Sequence, residues 1–363
     1  MHTYLLICLD GIGPEYLAAS QTPTLDALGR RGWRTIGLGA MPAVTNVNNV
    51  SLVTGGPPAL HGITANYYYD RVTRQSVYME SADYILAPTI FERAAQQGRR
   101  SAVVTAKDKL RTLIARGADE VISAETPPAW IVDAIGAPPP ILSVEVNHWL
   151  ARAAELLCRT RPADLLYLTL TDFAQHKFTP ESEASQANLA TLDRHLGDIL
   201  NSGPEFTLFA AADHGMRAKH GALDLGLILK AHGIAAEAVP IIRDRYVAHH
   251  QNLGGAAYIF LDDMQLIDDA SAILKAETGV ESVWARAEAA SRFQLMPERI
   301  GDLFVLSDED CVFGSLPTAH EAVDIRSHGC LHTRAVPIIA AGPRIPPEPY
   351  TYNYEAARWV QWD

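Results

Sequence analysis

Short apolar runs that end at a charged residue recur along this chain, and they restrict its fold more than any other feature. TYLLICLD (3–10), SAVVTA (101–106), DLLYLTL (164–170), FTLFAAA (206–212) and AVPIIAA (335–341) are nearly continuous in hydrophobicity, as strands buried on both faces of a parallel sheet require. Helical patterns separate them: TPTLDALGRRG from Thr22, APTIFERAAQQG from Ala87, HWLARAAELLCRT from His148 and ASQANLATLDRHLGDIL from Ala184. This alternation predicts an α/β fold with a doubly wound, mostly parallel sheet. Ligands gather outside the carboxyl ends of the strands in such sheets. Asp10, Lys107, Asp172 and Asp213 each lie just past a predicted strand end, so one sheet edge would collect them all.

Residues 233–314 read differently. EAVPIIRDRYVAHH, AAYIFLDD, ESVWARAE and DLFVLSDED supply strand candidates around shorter helices, which predicts a smaller α+β cap inserted into a core of residues 1–232 and 315–363. With 363 residues, 48% hydrophobic and 20% charged, the chain is long enough for one large core plus such a satellite. Acidic side chains (42) outnumber basic ones (30), and the net charge of -12 argues against a nucleic-acid partner. A small anionic substrate stays open, because bound metal ions would add positive charge where it matters. Cys8, Cys158, Cys311 and Cys330 form no CxxC pair, so the expectation is a reduced, cytoplasmic chain. The opening MHTYLLICLDG is too short in its apolar run, and lacks the basic flank, to read as a signal sequence. No stretch reaches the roughly 18 apolar residues of a transmembrane helix, so no membrane partner is expected.

Asp172 and His176, spaced Asp-xxx-His, join Asp10, the Asp213-His214 pair and His328 as candidate metal ligands. Each alone is an ordinary turn, loop or helix residue. Together they fit a two-zinc site, because zinc takes carboxylate oxygen and imidazole nitrogen, and two such ions can clamp a phosphoryl centre. Iron or manganese could occupy the same Asp/His donors. His332, four residues beyond His328, is an alternative ligand; His328 is preferred because the glycine after it would let backbone approach a metal closely. Thr45 precedes NVNNVSLVTG, a short helix closed by Gly55, which places its hydroxyl at a helix N-terminus where an anion is favoured. A simple capping role is the competing reading. His61 and His220 read as satisfied loop histidines, and His249 and His250 as an exposed pair that could otherwise line a substrate entrance.

The ordered runs TNVNN, TGGPPALHGITANY, TAKDKLR, DFAQHK, ADHGM and RSHG resemble the phosphonoacetate hydrolase family of the alkaline phosphatase superfamily, from residue 3 to about residue 343 and most weakly in the cap. The resemblance implies an alkaline-phosphatase-like fold and two zinc ions, one held by Asp172, His176 and His328, the other by Asp10, Asp213 and His214 with Thr45 as the nucleophile beside it. It further implies that Asn66 hydrogen-bonds a phosphonate oxygen, that Lys107 and Lys109 face the substrate carboxylate, and that a phosphothreonine forms and is hydrolysed. Valine stands at position 47, where the family often has proline, and Cys330-Leu331-His332 follows His328-Gly329.

Expulsion of a carbanion from phosphorus demands stabilisation of the departing charge, and paired ammonium groups aimed at the carboxylate would supply it. Extended backbone would aim Lys107 and Lys109 at one face, whereas helical backbone would splay them. A nucleotide pyrophosphatase or phosphodiesterase would share the metal site yet bind a nucleoside between aromatics and need no lysine clamp. A catalytically silent metal-binding module is a third reading, disfavoured by the intact ligand set and Thr45. A monomer and a homodimer both stay open.

Overall fold

The computed structural model describes residues 2–244 and 250–362. Its centre is a seven-stranded sheet of β1 (His2–Cys8), β2 (Trp33–Leu38), β3 (Ser101–Thr105), β4 (Glu120–Ser123), β5 (Leu165–Thr169), β6 (Glu205–Ala211) and β7 (Ala335–Ala341), in the order β2-β7-β6-β1-β5-β3-β4. The run from β6 through β1, β5 and β3 to β4 is parallel, as predicted. β7 is not: it lies antiparallel between β6 and β2. A fully buried apolar run does not encode its own direction, so this was not readable from AVPIIAA.

Both faces of the sheet are covered, which explains the unbroken hydrophobicity of its strands. Successive side chains of β1 alternate, Tyr4, Leu6 and Cys8 joining one core cluster and Leu5 and Ile7 the other. The helices Pro23–Arg31, Val146–Thr160 and Glu183–Leu200 supply the second cluster, and Thr45–Thr54 and Ile90–Gln96 the first.

Strand register is what assembles the site. Cys8 is level with Ala211 on one side and Thr169 on the other. Asp10 and Asp213 therefore emerge two residues beyond adjacent, aligned strand ends, and Asp172 three residues beyond the next.

The 233–314 segment contains a four-stranded antiparallel sheet of Ala236–Pro240, Ala256–Leu261, Leu303–Ser307 and Val280–Ala285, paired in that order. Val239, Tyr258 and Phe304 pack into the same cluster as Val44 and Tyr67 from the main body. A three-stranded sheet joins Cys311–Phe313, Arg217–Leu223 and His320–Ser327, and Tyr67–Asp70 pairs with Gln75–Tyr78 as an antiparallel hairpin. Among the described residues, no helix is long and apolar enough to cross a membrane.

His61 ties the Thr45–Thr54 helix to the loop after it. Its Nε2–H donates to Ser51 Oγ at 2.8 Å, and its Nδ1 accepts from the Ile63 amide at 3.1 Å. Burial, aided by the Arg299 charge, pushes its pKa down from 6.5 to about 3. The folded chain thus holds His61 neutral while the unfolded chain protonates it below about pH 6.5. Its contribution is complete above that pH and is lost as pH falls, by about 1.4 kcal/mol per unit down to about pH 3. Denaturant midpoints measured between pH 7 and 4 are expected to show this slope, and His61→Asn to flatten it.

Candidate metal centre

Asp213 illustrates how the backbone prepares a ligand. Its Oδ1 accepts from the amides of Gly11 at 3.0 Å and His214 at 2.9 Å, which fixes the carboxylate and leaves Oδ2 over. That Oδ2, and Oδ1 of Asp10, are buried with no hydrogen-bond partner among the described residues. Orphaned carboxylate oxygens are costly in a protein interior unless something positive meets them. Gly11 has φ +70°, and a Cβ there would sit 2.8 Å from the Asp172 Cβ, so only glycine lets the turn after β1 pass this close to Asp172.

The three histidines share one orientation. Nδ1–H of His176 donates to the Arg326 carbonyl (2.6 Å), that of His214 to Gly215 (2.9 Å) and that of His328 to Ala43 (2.9 Å). Each backbone bond fixes the tautomer and turns the basic Nε2 inward, the arrangement that metal-bound imidazoles adopt. Nε2 of His176 lies 2.9 Å from Asp172 Oδ2, and Nε2 of His328 3.7 Å from the same oxygen. Nε2 of His214 is 3.5 Å from both Asp10 Oδ1 and Asp213 Oδ2. The rings of His214 and His328 stack with centroids 3.5 Å apart.

Two groups of ligand atoms fall within 4.8 Å of one another, Asp10 with Asp213 and His214, and Asp172 with His214 and His328. His214 is common to both, and the second holds it where His176 was expected; His176 approaches that group through Asp172, 2.9 Å from its Nε2. Burial, then the Asp213 and Asp172 charges, raises the Asp10 carboxyl well above the carboxylate range, opposed by Lys107. Burial and the neighbouring His214 hold the His328 imidazole far below its usual pKa, in the neutral form that can ligate. The donor set fits a pair of divalent cations.

Thr45 opens the Thr45–Thr54 helix, with Val44 as the cap. It is therefore not a capping residue, and its Oγ1 lies 3.3 Å from His214 Nε2. Asn48 and Asn49 carry the helix rather than the chemistry. Asn48 Oδ1 accepts from the Ala40 amide, and Asn49 Oδ1 accepts from Tyr167 OH (2.7 Å) and Thr169 Oγ1 (2.9 Å) on β5. The TNVNN run thus fixes the threonine against the strand whose end leads to Asp172.

One pocket opens on this cluster, and Thr45, Asn66, Lys107 and Lys109 all line it. Lys107 is the extended cap of the Asp108–Ile114 helix and Lys109 lies in its first turn. Neither backbone state anticipated for the pair applies to both, yet both reach the same cavity. Lys109 Nζ is 2.8 Å from Asp244 Oδ2 and 3.6 Å from Glu80 Oε1.

His332 is outside the cluster: its Nε2 meets Glu281 Oε2 at 3.0 Å. Gly329 has φ +112°, and its missing Cβ makes room for Ile241 and not for a metal. His250 is buried and lines the pocket instead of standing exposed, while His249 lies outside the described residues. His220 pairs with Asp310 at the surface. Asp244 and Asn46, also in the pocket wall, carried no sequence signal that would have singled them out.

A family profile described as type I phosphodiesterase / nucleotide pyrophosphatase matches residues 4–330. Among solved structures, phosphonoacetate hydrolase from Sinorhizobium meliloti, seen in complex with phosphonoacetate and with phosphonoformate, is 33% identical. The match covers 99% of this chain and 94% of that one, with a TM-score of 0.87. A venom phosphodiesterase of Naja atra is 28% identical and an uncharacterized pyrophosphatase/phosphodiesterase of Schizosaccharomyces pombe 24% identical, each over 59% of this chain. This chain spans only 26% and 44% of those two relatives.

Proposed function

The chain belongs to the type I phosphodiesterase / nucleotide pyrophosphatase family of the alkaline phosphatase superfamily, alongside phosphonoacetate hydrolase, and we propose that it hydrolyses phosphonoacetate to acetate and phosphate. The observation that carries this reading is the placement of Lys107 and Lys109 in one pocket with Thr45 and the Asp/His cluster. Asp10, Asp213 and His214 would hold one cation beside Thr45, and Asp172, His176 and His328 the other. Oxygen and imidazole donors suit zinc, with iron and manganese as the alternatives. Bound there, the cations would supply Lewis acidity at phosphorus and favour the alkoxide of Thr45.

Thr45 Oγ1 attacks phosphorus, forming the O–P bond of a phosphothreonine as the P–C bond breaks. The bonding pair passes to carbon and spreads onto the carboxylate, and protonation gives acetate. Water then hydrolyses the phosphothreonine. Asn66, in the pocket wall, binds a phosphonate oxygen by donating from its Nδ2–H. Lys107 and Lys109 meet the growing negative charge of the departing group, a stabilisation larger in the transition state than in the ground state. Residues 233–314 serve as the cap over this pocket. Four free, buried cysteines suit the reducing cytoplasm in which we place the protein.

The competing phosphodiesterase reading calls for aromatic side chains around a base, and none of the described residues lining the pocket is Phe, Tyr or Trp. Replacement of both Lys107 and Lys109 by alanine is expected to lower kcat/KM for phosphonoacetate by at least about 10³-fold, each charge-assisted contact contributing roughly 2 kcal/mol. Cleavage of a nitrophenyl phosphodiester should change by less than about threefold. Parallel loss on both substrates would remove the clamp from the account.

A further inference from the structure

We propose that Asp244 is a positioning residue for substrate specificity: it holds Lys109 ready for the anionic tail of the substrate. This inference rests on the phosphonoacetate reading and assigns to the 233–314 segment a part in selecting the carboxylate. Asp244 Oδ2 lies 2.8 Å from Lys109 Nζ, an ion pair whose side chains are 11% and 9% exposed. Both residues line the pocket that holds Thr45.

The aspartate is itself held at its backbone. Asn252 Oδ1 accepts from the Asp244 amide at 2.9 Å, and Asn252 Nδ2–H donates to the Asp244 carbonyl at 3.3 Å. Asn252 adopts φ +56°, a conformation asparagine tolerates better than most residues, and its own amide donates to His250 Nδ1 at 2.9 Å. One side chain thus grips both backbone groups of Asp244. A carboxylate built to swing away on substrate entry would not need that double grip, and one built to hold a neighbour still would.

A lysine ammonium has three N–H donors. Asp244 takes one at 2.8 Å and Glu80 Oε1 draws a second at 3.6 Å, which leaves at least one for a bound anion. Lysine loses more rotamer freedom on being fixed than almost any other side chain, so fixing it before substrate arrives lowers the cost of capture. The effect should fall on kcat/KM for a carboxylate-bearing substrate and not on a substrate without a carboxylate.

The test uses the full metal-loaded chain with phosphonoacetate and with p-nitrophenyl phosphate, which has no carboxylate. Asp244→Asn keeps the size of the side chain and removes its charge. kcat/KM for phosphonoacetate should fall about tenfold, and kcat/KM for p-nitrophenyl phosphate should stay within about twofold. In a Lys109→Met background the same substitution should add nothing further, because Asp244 acts through Lys109. An unchanged or higher kcat/KM for phosphonoacetate, equal loss on both substrates, or an undiminished effect in the Lys109→Met background would overturn the proposal. A wild-type enzyme that does not cleave phosphonoacetate would instead remove the underlying reading, and this inference with it.

Discussion

Thr45→Ala is expected to reduce kcat for phosphonoacetate on the order of 10⁴-fold, with no loss of folding or of metal content. The substitution removes the hydroxyl that would attack phosphorus and one methyl group, while the supports of the helix stay in place. Asn48 still accepts from the Ala40 amide, and Asn49 still accepts from Tyr167 and Thr169. Alanine is also a good residue inside a helix, so the melting temperature should be unchanged or slightly higher. Thr45→Ser should retain most of the turnover, and acid quenching during turnover should trap a phosphoryl group on Thr45 in wild type and none in Thr45→Ala. Retention of more than about a tenth of wild-type kcat by Thr45→Ala would exclude threonine as the nucleophile.

Asp213→Asn should produce the second large effect, a loss of divalent-metal affinity of at least about 100-fold. The substitution separates a ligand role from a structural one. An asparagine Oδ1 can still accept from Gly11 and His214 as the carboxylate does, so the turn after β1 keeps its anchor. What changes is the second atom, from a buried oxygen without a partner to an NH₂ group that cannot ligate. Metal titration followed by melting temperature gives the measurement. Zinc at about 1,000 times its Kd stabilises a folded chain by about 4 kcal/mol, which for a chain of this length is a rise of roughly 5 °C. Wild type should show that rise and lose it to a chelator, and Asp213→Asn should show little of it. Proton release should accompany binding, since the buried Asp10 carboxyl is pushed toward its protonated form without metal. Equal stabilisation of both proteins would place the cation elsewhere.

Much of this site was legible in the sequence because strand ends are legible. A buried parallel strand announces itself as an apolar run, and the first polar residues beyond it must emerge at the carboxyl edge; Asp10, Asp172 and Asp213 needed nothing more to be grouped. Direction within the sheet was another matter, since AVPIIAA has the same pattern in either sense. The strand Trp33–Leu38 also escaped notice. It is an edge strand whose Ile36 is exposed, and its WRTIGL lacks the unbroken apolar run of its neighbours. His328 could be favoured over His332 but for an incomplete reason, because Gly329 answers to the packing of Ile241. Asp244 was hidden because it reaches the pocket only when a segment more than a hundred residues from Lys109 folds back over it, and His250, first read as exposed although a place at the substrate entrance stood as the alternative, lines the pocket for the same reason.

The most direct measurement is phosphate release from phosphonoacetate by the zinc-loaded protein, run beside a nitrophenyl phosphodiester, each with and without a chelator. The account predicts chelator-sensitive phosphate from phosphonoacetate and little diester cleavage. Efficient diester cleavage with no phosphate from phosphonoacetate would contradict it, moving the protein to the phosphodiesterases and leaving Lys107 and Lys109 without a carboxylate to bind.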